Sequence, residues 1–337
     1  MDKVRLGKSG LEVSRMTLGC WTFGSDSGSY WGAQEKGESG ALLREAVERG
    51  INFFDTAFVY NDGAAEAALG ELVEESGLRD RMVICSKIPQ LSWEALPGYE
   101  RQVRDSLKRL RTDHLDVLLM HWPCNDRDLL RANLEALQGV KDRGLAREIG
   151  VSNFGVGQME LVREMGIDIC VNELSYSAAH RSAELAVLPY TARHGIGVMA
   201  YMPLLQGILT GKYSRIDEIP KARRRTLHFD SAGNDQIRHG GRGMEAELSA
   251  FLGELRRLSD DCGIPCSDLC IGWILAHDAV STVLAGSRTR EQLARNVEAA
   301  ETRLPADVVA RLNGISAPLA ALCGANCDLW QWNSRVW

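Results

Sequence analysis

Four residues within the first 121 positions, Asp55, Tyr60, Lys87 and His121, are of the types that move a proton at a reacting oxygen. Hydride delivered to a carbonyl carbon leaves a negative oxygen, which needs a proton donor and polarising groups at that point. A tyrosine with an ordinary pKa near 10 holds its proton too firmly for this work, but a neighbouring cation stabilises the phenolate. Lys87 can supply that cation, Asp55 can keep it charged and aimed, and His121 can hydrogen-bond the same oxygen as Tyr60. Each residue alone has a plainer reading: a lysine with its charge in water, a turn-forming aspartate before Thr56, a packed histidine before Trp122. Their joint occurrence at the ends of neighbouring apolar runs favours the catalytic reading.

Those runs are the elements that must position the chemistry. Eight short, β-branched or apolar stretches stand at Met16–Leu18, Ile51–Phe54, Met82–Cys85, Leu115–Met120, Glu148–Val151, Ile169–Val171, Gly197–Ala200 and Val280–Leu284. None alternates as a half-wet strand does, so they read as parallel strands buried on both faces. Between them lie segments of helical period, such as SGALLREAVERG and LLRANLEALQGVKDRG, with Gly50 and Gly144 where a helix would stop. Successive strands are mostly about thirty residues apart, the arithmetic of a (β/α)8 TIM barrel, here taken as one domain over residues 1–337. Functional residues in such a barrel stand just after the strands. The residues at the ends of the eight runs are polar and varied: Cys20-Trp21, Asp55-Thr56, Ser86-Lys87, His121-Trp122, Ser152-Asn153, Asn172-Glu173, Tyr201-Met202-Pro203 and Gly286-Ser287-Arg288. Three segments lie outside the repeat. The first ten residues predict a β-hairpin plug at the barrel bottom, and Met202–Met244 is a long loop, basic at Lys221–Arg225, of the kind that forms lids. The tail beyond Glu301 concentrates Trp330, Trp332 and Trp337.

The 337 residues are 45% hydrophobic, with a formal charge of −6, which offers no basic footprint for nucleic acid or an anionic membrane surface. The N-terminus has no apolar leader and no run long enough to span a bilayer, so a cytosolic protein is expected. The nine cysteines sit mostly in apolar runs and are expected to be free thiols. Cys262, Cys266 and Cys270, and the pair Cys323 and Cys327, lack the paired short spacings and extra ligand of a metal site; core packing is expected and no metal. Barrel outer helices look alike whether wet or paired, so the sequence sets no oligomeric state.

Seven segments carry a family likeness. INFFDTAFVYNDGAAEAALG, VICSKI, LDVLLMHWP, IGVSNF, VNELSYS, MAYMPLLQGILTGKY and VLAGSRTREQLARN, in this order and across almost the whole chain, resemble the successive signatures of the aldo-keto reductase superfamily. The resemblance implies an NADP(H)-dependent oxidoreductase whose tetrad is Asp55, Tyr60, Lys87 and His121, with Tyr60 as acid in reduction and base in oxidation. It implies that Ser152 and Asn153 hold the nicotinamide carboxamide and that Tyr201 stacks on the ring, with Cys20, Trp21, Asp55 and Glu173 beside it. Pro203, Leu204, Gly207 and Lys212 then face the pyrophosphate, with one of Arg223–Arg225 closing over it. Gly286, Ser287, Arg288, Gln292 and Asn296 hold the adenosine end, and Arg288, able to pair with a phosphate, favours NADP(H) over NAD(H). The chain has no GxGxxG after a strand, so no Rossmann domain is indicated.

The sequence departs from the family pattern at several points. Glu173 stands where the family typically has Gln; a carboxylate accepts from an amide but does not donate, and its charge would favour the cationic ring of the oxidised cofactor. Arg295 replaces a Glu common near the adenine, and Asn61 and Ala65 replace a Gly and a Ser beside the catalytic tyrosine. Trp21, Phe58 and Trp122 are the expected pocket walls, with Asn125 or Asp126 as hydrogen-bond partners, for a small-molecule carbonyl or alcohol with a sugar-like or polyhydroxylated body. Two other classes stay open. Relatives with intact tetrads act as cofactor-sensing subunits of ion channels, and a metal-dependent barrel hydrolase would use Asp55 and His121 with bound metal.

Overall fold

The computed structural model describes residues 1–330 and 335–337. Strands β1 (Lys3–Arg5) and β2 (Glu12–Ser14) form an antiparallel hairpin in the register Val4↔Val13. Eight parallel strands follow and close into a barrel: β3 (Met16–Gly19), β4 (Phe53–Asp55), β5 (Val83–Ile88), β6 (Leu115–Met120), β7 (Ala146–Ser152), β8 (Val171–Ser175), β9 (Gly197–Tyr201) and β10 (Thr282–Gly286). Each strand pairs with its sequence neighbour, and β10 returns to β3 through Leu284↔Thr17. This is the (β/α)8 fold expected from the repeat.

Strand alternation explains where the polar ends go. Phe53, Cys85, Val117, Leu119, Val171 and Met199 point inward and pack with Leu6 and Val13 of the hairpin, so the plug completes an apolar floor. Two residues further along, the same inward face carries Asp55, Lys87, His121, Glu173 and Tyr201. The opposite parity, including Leu18, Phe54, Ile84, Leu118 and Val198, faces the helices in the main core. Full burial of each large apolar side chain contributes about 1.5–3 kcal/mol, which holds the floor rigid beneath the polar layer.

Several strands differ from the apolar runs that announce them. β8 begins at Val171, not Ile169, and continues through Asn172–Ser175; β10 begins at Thr282 and β5 runs on through Ser86, Lys87 and Ile88. Polar residues stay in strand conformation here because they meet partners on both sides of the barrel wall, Lys87 and Glu173 inside it, Ser86 with Glu66 and Asn172 with Phe154 outside it, a tertiary effect that local hydropathy does not register.

Helices α1 (Lys36–Glu48), α2 (Ala64–Ser76), α3 (Tyr99–Leu110), α4 (Arg127–Asp142), α5 (Val156–Glu164) and α6 (Val187–His194) cover the first strands. α7 (Glu245–Cys262), α8 (Cys266–Leu275), α9 (Arg290–Glu301) and α10 (Ala306–Cys323) complete the ring. Gly144 adopts φ +71° just past α4, the left-handed stop that glycine takes without strain. Asp126 Oδ1 accepts from the Asp128 and Leu129 amides at 3.0 Å each, so this carboxylate caps α4 instead of reaching substrate. Cys270 lies on the buried side of α8, and all nine cysteines are free thiols. No described helix is long and apolar enough to cross a membrane, and no three metal-ligating side chains converge among the described residues. The long loop carries short turns at Leu205–Thr210, Ile216–Glu218, Lys221–Arg223 and Ser231–Gly233.

Candidate active site

The polar layer above the floor is centred on Lys87. Its ammonium donates to both oxygens of Asp55 at 2.6 Å and to the Thr56 carbonyl at 2.9 Å, and lies 3.4 Å from the Tyr60 hydroxyl. Glu173 Oε2 approaches the same ammonium at 3.3 Å. Lys87 has no exposed side-chain surface, and Asp55 and Glu173 are nearly as buried. Burial alone would discharge Lys87, but the adjacent Asp55 and Glu173 carboxylates outweigh it and hold the ammonium protonated. Burial also pushes the Asp55 carboxyl up against the pull of Lys87.

The Tyr60 phenol is raised from its ordinary value, first by burial; Lys87 draws it down, while Asp55 and Glu173 push it up. The lowering expected from the cation is therefore present but outweighed, and Tyr60 rests as a protonated phenol. His121 meets the Tyr60 ring edge-on, with centroids 5.6 Å apart. Its imidazole is kept neutral by burial, then by Lys87 and Arg335.

Loops supply the roof. The Trp21 indole stacks on the Tyr60 ring at 4.7 Å and 12°, and Tyr30 stacks on Trp21 at 5.7 Å. Asn61, at φ +49° where Asn is tolerated better than most residues, donates to the Trp21 carbonyl at 2.8 Å and ties this loop to the turn carrying Tyr60. Phe58 lies under the Arg109 guanidinium of α3 at 4.3 Å, and Trp122 under that of Arg335 at 3.8 Å. Both rings therefore have a face covered by protein. Trp330 reaches Tyr201, and Trp337 packs on Gly155 and Gly157. The expected contribution of Trp332 lies outside the described residues.

A family model described as the aldo/keto reductase family matches residues 15–317. The chain belongs to that family. It is 29% identical over 317 residues to a probable voltage-gated potassium channel subunit beta of Arabidopsis thaliana, covering 89% of this chain and 92% of that one. Among solved structures, a glycerol dehydrogenase from Gluconobacter oxydans superposes with TM-score 0.77 at 26% identity, over 94% of this chain and 95% of that one. An aldo-keto reductase from Klebsiella pneumoniae in complex with NADPH gives TM-score 0.71 at 26% identity, over 94% and 95% of the two chains.

The residues that the family likeness relates to the dinucleotide form a row from the polar layer past the ends of β9 and β10 to α9. At its inner end Tyr201 donates to Asn153 Oδ1 at 2.7 Å, and Asn153, at φ +63°, donates to Ser152 Oγ at 2.9 Å. The next stretch passes Pro203, Leu204 and Gly207, with Lys212 folded back beside Gly207. At the outer end Arg288 donates to the Ala33 carbonyl at 2.6 Å, its own amide to Gln292 at 2.8 Å, and Asn296 to Ser287 Oγ at 3.1 Å and weakly to the Gly286 carbonyl. The exposed Arg288 is thus positioned by a loop carbonyl and retains other donors. Arg223 and Arg225 lie over the Tyr30 ring at 5.0 and 4.9 Å, and Tyr30 hydrogen-bonds Gln206. Arg223 Nη1, Arg225 Nε and Gln206 Nε2 are buried donors without a hydrogen-bond partner. Orphaned cationic donors at one place are the demand an anion answers, so these residues fit a phosphate-bearing cofactor. Arg224, between them, instead donates to the Ile219 carbonyl at 2.7 Å and braces its own loop.

Sequence reasoning missed Tyr30 and Trp31, which join the Trp21 loop to the basic loop; Arg223 lies 4.1 Å from the Trp31 ring. Four aromatics within Trp21–Trp31, namely Trp21, Phe23, Tyr30 and Trp31, were the available signal. It also missed Glu66, fully buried, which accepts from Ser86 at 2.5 Å and pairs with Arg109 at 3.3 Å behind the Tyr60 turn.

Proposed function

We propose that this protein is an NADP(H)-dependent oxidoreductase that interconverts a carbonyl and its alcohol, with Tyr60 handing over the proton. The observation that carries the reading is Lys87, clamped by Asp55 and 3.4 Å from the Tyr60 hydroxyl. When bound, the nicotinamide supplies the hydride in reduction and accepts it in oxidation. Tyr60 does the rest of the chemistry. In reduction its hydroxyl protonates the substrate oxygen, and the phenolate left behind is stabilised by the Lys87 ammonium. In oxidation the phenolate takes the alcohol proton back. His121, held neutral, shares the substrate oxygen by hydrogen bond, and Trp21 over the phenol keeps water from competing. Ser152, Asn153 and Tyr201 position the ring, and the orphaned donors of Arg223, Arg225 and Gln206 receive the phosphates.

The half-exposed Trp21, with Tyr30, Asn61 and Asp62 beside it, lines a cleft of about 500 Å³ next to the turn that carries Tyr60. An aromatic face edged by polar groups fits a polyhydroxylated aldehyde or ketone, in keeping with the similarity to a glycerol dehydrogenase. The likeness to a channel β subunit supports a second reading, a cofactor-binding subunit with slow turnover. One experiment separates them. NADPH affinity is measured alongside NADPH oxidation and NADP+ reduction with aldehydes, ketoses, inososes and aromatic ketones. Rapid turnover of a polyhydroxylated member supports the enzyme; tight binding with no turnover on any member supports the subunit.

A further inference from the structure

Lys87 is one cation serving two buried carboxylates. Asp55 takes it with both oxygens at 2.6 Å, and Glu173 Oε2 stands 3.3 Å away with no hydrogen-bond partner of its own. The groups facing Glu173 come from four places: Lys87 and Cys85 on β5, Asp55 on β4, Tyr60 on the turn after it, and Tyr201 on β9. Lys87 supplies the positive charge among them. With both carboxylates ionised the cluster would hold a net negative charge in the interior, where an unbalanced charge is costly. Such a pair instead keeps a proton between its members. Asp55 has the stronger grip on the ammonium, so the proton sits on Glu173. Burial, then the charge of Asp55, pushes the Glu173 carboxyl up to about 8.

The hydride partner must reach the carbon whose oxygen meets Tyr60, so its ring comes close to this cluster. That ring is cationic when oxidised and neutral when reduced. We infer that Glu173 makes the preference for oxidised over reduced cofactor depend on pH, because binding the cationic ring drives the carboxyl proton into solvent. The inference rests on the cofactor reading above. The step balances: protonated Glu173 plus NADP+ gives ionised Glu173 with bound NADP+ and one proton in solvent. Below the carboxyl's pKa Glu173 can donate as a glutamine amide would; above it, it is a counter-ion for the ring. The charge preference expected of a permanently ionised carboxylate thus becomes conditional.

The test is the ratio of NADPH to NADP+ dissociation constants from pH 6.5 to 9, read by fluorescence and equilibrium dialysis without turnover. Both forms carry the 2′-phosphate, so its own titration near pH 6 cancels in the ratio. Each unit by which the ring lowers the carboxyl's pKa is worth about tenfold. The ratio is expected to rise about tenfold or more toward pH 8.5 in the wild type and to stay flat in Glu173→Gln. Calorimetry in two buffers of different ionisation enthalpy needs no variant: NADP+ should release close to one proton at pH 7, and NADPH close to none. A flat wild-type ratio, an undiminished slope in Glu173→Gln, or equal proton release by both forms overturns the inference. Binding of neither nucleotide overturns the cofactor reading itself, a different result from tight binding of both with a flat ratio.

Discussion

Replacing Lys87 by Met should destabilise the fold in a pH-dependent way. The side chain is fully buried and bonds both oxygens of Asp55, itself 2% exposed. Without the ammonium, Asp55 must take up a proton to remain in the interior. Holding a carboxyl protonated at pH 7 against an ordinary pKa near 4 costs about 4 kcal/mol, at about 1.36 kcal/mol per pH unit. That agrees with the roughly 3–5 kcal/mol lost when one partner of a buried pair is removed. In the variant the folded state carries the Asp55 proton and the unfolded chain does not, so stability falls as pH rises from about 4 to 7. Urea unfolding of wild type and variant at pH 5, 6 and 7 reads this directly. A difference of about 4 kcal/mol at pH 7, shrinking by about 1.4 kcal/mol per unit toward pH 5, is expected. The double variant Lys87→Met with Asp55→Asn should recover most of the loss at pH 7. A loss below about 1 kcal/mol at pH 7, or one independent of pH, refutes the claim that Lys87 and Asp55 balance each other in the interior.

Other perturbations probe the roof and the loops. Trp21→Ala removes the ring stacked on Tyr60 and admits water, so the rising limb of the alcohol-oxidation pH profile, where the phenolate forms, should move to lower pH; KM should rise about two- to tenfold. An unmoved profile contradicts the role of burial in raising the phenol. Arg225→Ala removes an orphaned donor and should weaken NADPH binding about tenfold or more, seen as faster release in stopped flow; unchanged release places the phosphates elsewhere. His180 and His228 are both pushed down to about 4 by burial, from about 6.5 in the unfolded chain. Their stabilising effect is present above pH 6.5 and is lost as pH falls toward 4, up to about 3 kcal/mol each. His228 anchors the long loop to the Ala179 carbonyl at 2.9 Å and His180 lies 3.2 Å from the Asn326 carbonyl of the tail. Protection factors against hydrogen exchange, corrected for the intrinsic rate, should therefore fall at pH 5 in 226–244 and 324–330 before the barrel strands; a uniform fall contradicts this.

The barrel and its polar layer were legible because both follow from local period. Apolar runs at regular spacing mark strands, and the two-residue alternation that buries Phe53 and Cys85 must also bring Asp55 and Lys87 to the mouth. Glu173 was legible as an oddity but not as a partner of Lys87, since β5 and β8 face each other only once the sheet closes. The roof was less legible still. Nothing local to Trp21 says that Tyr30 will cover it, or that Arg223, nearly two hundred positions away, will lie on Trp31. The expected wall residues Phe58 and Trp122 look alike in sequence, yet guanidinium groups from α3 and the tail take a face of each. Asp126 looked like a substrate contact because a capping carboxylate and a binding one share the same chemistry.

Proton transfer by Tyr60 is the step on which the proposed function rests. Single-turnover mixing of Tyr60→Phe with NADPH and a carbonyl substrate tests it most directly, with NADPH affinity measured on the same samples. The phenyl ring keeps the stack with Trp21 and loses only the hydroxyl beside Lys87. Unchanged NADPH affinity and a hydride-transfer rate lower by about 10²–10⁴ are expected. Transfer at the wild-type rate would contradict it.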